Sequence, residues 1–175
     1  MNLNRRRFGC ALCGAALFAL AGCGKEQAAA ASGPAEIAQG TACDLDGMLL
    51  ADYPGPKGQI LFADAGEPAF FCDTVELVST LLRPEQVRPV KGAWVQDMAR
   101  ADWTQPRGHW IDAKAALYVR GSRKHGSMGP TLATFAQRAD ADRFAGEHGG
   151  KVHAFAEMTP EMVDLTGGAL HDSRM

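Results

Sequence analysis

The chain has 175 residues, 46% of them hydrophobic and 22% charged, and a formal net charge of −2. That balance excludes a nucleic-acid surface, which needs a basic stripe or patch. About 135 residues beyond the N-terminal leader suffice for one ordinary core or two small ones.

The chain opens with Arg5-Arg6-Arg7, an apolar run over 8–21, and Leu20-Ala21-Gly22-Cys23. A basic start, a short apolar run and small residues before a cysteine read as a secretory signal, because a membrane span needs about 20 apolar residues. Leu-Ala-Gly-Cys resembles the lipobox of bacterial lipoproteins, whose cysteine carries the acyl chains. Residues 1–22 are therefore expected to be a cleaved signal peptide, and Cys23 the lipid attachment site that holds the protein to membrane lipid. Asn4-Arg5-Arg6-Arg7-Phe8 also resembles a twin-arginine signal, so the export route stays open between two systems. Gly24 lacks the aspartate that marks inner-membrane retention in many such lipoproteins, which favours the outer membrane, facing the periplasm.

Cys10 and Cys13 lie inside the leader, so their C-x-x-C spacing is not a redox motif. Cys43 and Cys72 are then the two free thiols of the exported part. Two are too few for a disulfide scaffold; in an oxidising compartment they pair, bind a metal or are kept reduced for a purpose. Residues 23–40, with an alanine run and no large apolar side chain before Ile37, read as a lipidated flexible tether.

Beyond the tether, short strand-like runs alternate with turn signals. Met48-Leu49-Leu50 leads into a Pro/Gly loop over 52–58, Gln59-Ile60-Leu61-Phe62 reads as a strand and Ala69-Phe70-Phe71 as another. Apolar residues at 75, 78, 81 and 82 have helical spacing, stopped by Pro84, and 87–95 closes the unit with strand. The plan then repeats: a strand over 115–119, a loop over 121–130, a strand over 131–135, Asp140 as the N-cap of a helix over 141–148, Gly149-Gly150 as its stop, and a strand over 152–155. The expected fold class is α+β, with two tandem β-β-α-β units, at 41–100 and 101–160, and a disordered tail at 161–175.

No Gly-rich phosphate loop, nucleophile elbow or HExxH motif occurs. What the chain offers is soft ligands beside glycines. Cys43-Asp44-Leu45-Asp46-Gly47-Met48 sets a thiol and a thioether five residues apart in an irregular segment, and His125-Gly126-Ser127-Met128 sets an imidazole and a thioether three apart in a polar loop. Thiolate and thioether together select Cu(I), whereas zinc uses more thiolate or imidazole. The plainer alternatives are that Met48 begins a buried strand, that Cys43 pairs with Cys72, and that His125 is merely exposed. Asp73, His109, Asp112, His148 and His153 read as caps, surface or core.

Several segments in consistent order resemble the NosL family: Asp46-Gly47-Met48 leading into 52–60, Phe70-Phe71-Cys72, Trp94-Val95-Gln96-Asp97-Met98, Trp110-Ile111-Asp112-Ala113, Tyr118-Val119, Gly126-Ser127-Met128-Gly129 and Gly149-Gly150-Lys151-Val152. The resemblance implies a non-enzymatic, envelope-anchored lipoprotein with two tandem β-β-α-β domains. It would bind copper as Cu(I) and deliver it to nitrous oxide reductase and its membrane assembly transporter. By position it implies Met48 and Met128 as copper ligands. The family cysteine two residues before the first methionine is replaced here by Asp46, and Cys43 matches the outer cysteine of that motif. A carboxylate is a hard ligand and replaces a thiolate poorly for Cu(I). The expected metal residues are thus Cys43, Met48 and Met128, with Asp46 and His125 as lesser candidates. Two further readings remain: a thiol-disulfide exchanger using Cys43 and Cys72, and a structural envelope lipoprotein without metal.

Overall fold

The computed structural model describes residues 33–83 and 85–165. The expected signal peptide at 1–22, Cys23 as expected lipid attachment site, the expected tether up to residue 32, Pro84 as expected helix stop and the tail from 166 lie outside the described residues.

Strands β1 (Gly58–Phe62) and β2 (Ala69–Phe71), helix α1 (Thr74–Leu82) and strand β3 (Val90–Gln96) form the first β-β-α-β unit. β1 is central, antiparallel to β2 on one side and to β3 on the other, with Gly58 facing both Phe71 and Val95. Every residue of β1 is buried, as a strand covered on both faces must be. Gly58 is needed because a Cβ there would collide with the Leu77 side chain of α1, so its absence lets the helix lie close on the sheet.

Strand β4 (Trp110–Asp112) adds to the outer edge of β3, pairing Trp94 with Asp112 and Gln96 with Trp110. A segment expected in the second half of the chain thus completes the first sheet. The second unit consists of β5 (Leu117–Arg120), a two-residue ladder of β6 (His125–Gly126) with β7 (Gly129–Pro130), then β8 (Ala133–Phe135), α2 (Arg138–His148) and β9 (Lys151–Ala154). Its three-stranded sheet has the order β8-β5-β9, again with the first strand central. The fold is α+β with two β-β-α-β units of the same wiring. The segment 121–130, expected to be loop, is a loop carrying that small ladder.

The two units share one core. Ile60, Phe71, Leu77 and Val95 of the first pack in one cluster with Tyr118, Leu132, Met158 and Val163.

Three expectations are corrected. The tether does not reach residue 40, because Gln59 is fully buried and its amide must be satisfied: it accepts from Ala35 N at 2.8 Å and donates to Ala35 O at 2.9 Å, which seats Ile37 against Leu50. The disordered tail does not begin at 161. Pro160–Val163 forms a 3-10 turn whose Val163 is buried in the shared core, with Met162 packed beside it. Asp140 is not the N-cap of α2. That position is Gln137, and Asp140 lies three residues on, paired with Arg143 at 2.6 Å.

Candidate metal centre

The segment from Cys43 to Met48 is a closed loop. Cys43 N donates to Met48 O at 2.8 Å and Gly47 N to Cys43 O at 2.9 Å, with Gly47 in the left-handed region at φ 78°. Asp46 Oδ1 accepts from Met48 N at 2.9 Å, an Asx turn that sets the direction of the methionine. Asp44 N donates to Phe70 O at 2.7 Å and pins the loop beside β2.

Cys72 directly follows that strand, immediately before the cap of α1. Asp73 accepts from Val75 N at 2.9 Å, and Glu76 reaches back to accept from Asp73 N at 3.2 Å, a reciprocal capping box. The box places Glu76 between the two thiols. Its Oε2 lies 3.4 Å from Cys43 Sγ and 3.2 Å from Cys72 Sγ, and Asp46 Oδ2 lies 3.7 Å from Cys72 Sγ. One ligand atom from each of Cys43, Asp46, Cys72 and Glu76 falls within 4.8 Å of the other three. Cys43 and Cys72 are free thiols, 3% and 0% exposed, and Glu76 is 1% exposed, while Asp46 stands at the solvent rim. Glu76 Oε1 has no hydrogen-bond partner despite being buried, an orphan that calls for an explanation.

The second unit clamps this site. Ser127 Oγ donates to Cys72 O at 2.7 Å, and Thr131 Oγ1 to Asp73 Oδ1 at 2.7 Å. The 121–130 loop comes this close because Gly55, at φ 81°, faces Gly126: a Cβ on Gly55 would stand 2.6 Å from Gly126 Cα. From below, the fully buried Lys57 donates through Nζ to Cys72 O and Pro54 O, both at 2.9 Å.

These surroundings set the protonation. The neighbouring Cys72 side chain holds the Cys43 thiol below its ordinary value, while that same contact and burial push Cys72 up. Burial raises Asp73 to about 6, against its hydrogen bonds from Val75 and Thr131. Burial also lowers Lys57, opposed by Asp73, Cys72, Glu76 and Cys43.

The expected residues divide between three places. Met48 is half-buried against the apolar cluster that contains Cys43 and Cys72, with Phe70 and Trp110 alongside, and does not begin a buried strand. Asp46 is at the rim of the thiol pair. Met128 is 43% exposed and lines a cavity of about 320 Å³, which Asp73 and Glu76 also border. His125 is exposed, and its backbone carbonyl accepts from Trp103 Nε1 at 3.0 Å. Cys72 and Glu76 join the site without having been expected as metal ligands. Asp73-Thr74-Val75-Glu76 is itself a capping-box signature directly after Cys72, and it places Glu76 one helical turn from that thiol.

Two buried thiols, with a methionine packed against the same cluster, suit a soft monovalent ion, and the thiols must lose their protons to bind it. Two carboxylates with two thiols is also a set zinc accepts, but Met48 adds nothing for zinc.

The family model described as NosL matches residues 34–163. A protein from Stutzerimonas stutzeri, "Copper-binding lipoprotein NosL", is 38% identical over 161 residues, covering 89% of this chain and 84% of that protein. The protein of the same name from Achromobacter cycloclastes is 37% identical over 163 residues, covering 91% and 84%. Among solved structures, "Crystal structure of the copper chaperone NosL from Shewanella denitrificans" superposes with a TM-score of 0.70 at 38% identity, covering 74% of this chain and 97% of that one.

Proposed function

Because the chain belongs to the NosL family, we propose that it is a membrane-anchored Cu(I) chaperone, without catalysis of its own, which delivers copper for maturation of nitrous oxide reductase. The observation that carries this reading is the convergence of Cys43 and Cys72 on one carboxylate oxygen, with Met48 packed against the apolar cluster that contains both cysteines. Cys43, Cys72 and Met48 hold the ion, and Met128 supplies an outer thioether from the second unit's loop. Asp46 stands at the rim, where a hard carboxylate contributes little to Cu(I), and His125 stays outside the site. The names of the relatives, copper-binding lipoproteins, support the copper and the anchor. The lipobox supports Cys23 as the lipid attachment site, and Gly24 directly after it favours the periplasmic side of the outer membrane as the place of work. A few soft ligands on loops let a partner's ligands replace them one at a time, as hand-over to the reductase and its membrane transporter requires.

The test is an anaerobic titration of the reduced protein with Cu(I) against a chromophoric chelator. One tightly bound ion is expected, lost in Cys43→Ala. A parent protein that leaves all copper with the chelator would sink the proposal. The thiol-disulfide exchanger is a second reading, favoured by the same proximity of Cys43 and Cys72, but cysteines at most 3% exposed are poorly placed for attack by a partner's thiolate.

A further inference from the structure

Lysine is almost never fully buried unless something pairs with it, yet Lys57 is 0% exposed and is the one lysine or arginine buried among the described residues. Its backbone N donates to Gln96 Oε1 at 3.0 Å, which fixes the residue directly before β1. Its Nζ donates to Cys72 O and Pro54 O, both at 2.9 Å. Serving those carbonyls does not require a charge. Cys72 O already accepts from Ser127 Oγ, and a neutral donor would serve Pro54 O without the cost of burying an ammonium. What the position does offer is charge. The groups whose charges bear on Lys57 are Asp73, Cys72, Glu76 and Cys43, and the last three belong to the metal centre. Arg120, on the cavity that Glu76 also borders, is exposed and gives its Nε to Met162 O at 3.0 Å.

Both thiols must lose their protons to hold an ion. Exchanging two protons for one monovalent ion leaves the centre one unit more negative, beside a Glu76 carboxylate that already accepts from both sulfurs. Exchanging them for one divalent ion leaves the charge unchanged. A buried cation therefore stabilises the first complex and is, to first order, indifferent to the second. We propose that Lys57 is a specificity-determining positioning residue, whose buried ammonium is the counter-charge that lets the Cys43 and Cys72 pair favour a monovalent ion over a divalent one. The inference rests on the Cu(I) reading above, and it adds to the softness of the ligands a second source of selectivity, built into the floor of the site.

Lys57→Met keeps the apolar stem and removes the charge, and Lys57→Gln removes the charge but keeps a hydrogen-bond donor. Anaerobic competition titrations of the reduced full-length protein with Cu(I), and parallel ones with Zn(II) as the divalent probe, give the two affinities. In both variants Cu(I) affinity is expected to fall on the order of a hundredfold, the scale of one unit charge acting over a few ångströms with partial screening. Zn(II) affinity is expected to stay within about threefold of the parent. Equal losses for the two ions would mean that Lys57 only supports the backbone of Cys72, and would overturn the proposal. Parent-like Cu(I) affinity in Lys57→Gln would overturn it as well, and that variant decides alone if Lys57→Met does not fold. A parent protein that takes no Cu(I) would sink the chaperone reading itself, whereas a parent that binds Cu(I) with variants that lose both ions alike sinks this inference only.

Discussion

The two β-β-α-β units have the same wiring, with the first strand central and the helix following the second strand, yet only one carries ligands at the strand-to-helix junction. In the first, Phe71-Cys72-Asp73 leads into a helix with Glu76 at its third position and a full capping box. In the second, Phe135-Ala136-Gln137 leads into a helix with no side-chain cap, and the acid at its third position, Asp140, is spent on Arg143. The cysteine loop over 43–48 has no counterpart before β5. The scaffold alone therefore makes no metal site; the site arises where one junction meets an added loop and the other unit's glycine turn covers it.

The contrast is broken most severely at the thiols. Cys72→Ala should lower Cu(I) affinity at least about a thousandfold, roughly 4.1 kcal/mol, measured by chelator competition. Ala136→Cys, the matching position of the second unit, should leave the parent's tight stoichiometry unchanged. A second tight ion in that variant would mean that the junction is sufficient.

The caps give the next largest effect. Asp73→Ala removes an N-cap and leaves the buried Thr131 hydroxyl without its acceptor, which together should cost about 2 kcal/mol of folding stability after the relief of a buried carboxylate is set against them. Gln137→Ala should stay within about 0.5 kcal/mol. Urea denaturation of the two variants checks the difference.

A smaller effect concerns pH. Asp73 is raised from 3.8 to about 6, so the folded state holds a proton that the unfolded state releases between those values. Stability from this group therefore falls as pH rises through that window, and is greater at pH 4 than at pH 7, by on the order of 1 kcal/mol or more. Asp73→Asn keeps a capping side chain and should flatten that part of the profile; an identical slope in the variant would discard the assignment.

Much of this architecture can be read along the chain. The apolar spacing of α1, its Asp73 and Glu76 box, and the Gly149 stop of α2 are local signals, and the observed elements follow them. So is the loop with Cys43 and Met48 five positions apart. What could not be read is whatever depends on pairing across distance. Cys43 and Glu76 are 33 positions apart, and no local pattern says that they meet. Trp110–Asp112 joins the first sheet because β3 has a free edge there, not because its own sequence assigns it to that unit. Asp140 misleads because an acid in the first helical turn looks like a cap when the true cap, Gln137, makes no side-chain bond. Ile37 and Val163 look like parts of loose ends until Gln59 and the shared core claim them.

The glycine contact between residues 55 and 126 also has a kinetic consequence. The bonds that seal the site, Ser127 to Cys72 and Thr131 to Asp73, span 55 and 58 residues, and closures of that length form late because their entropy must be met before any contact repays it. A chain caught partway through folding thus has the thiol pair of its first unit without the cover that the second unit lays over Cys72 and Asp73. On the Cu(I) reading proposed above, only the finished chain would hold the ion under that cover, and an incomplete one would bind it in the open.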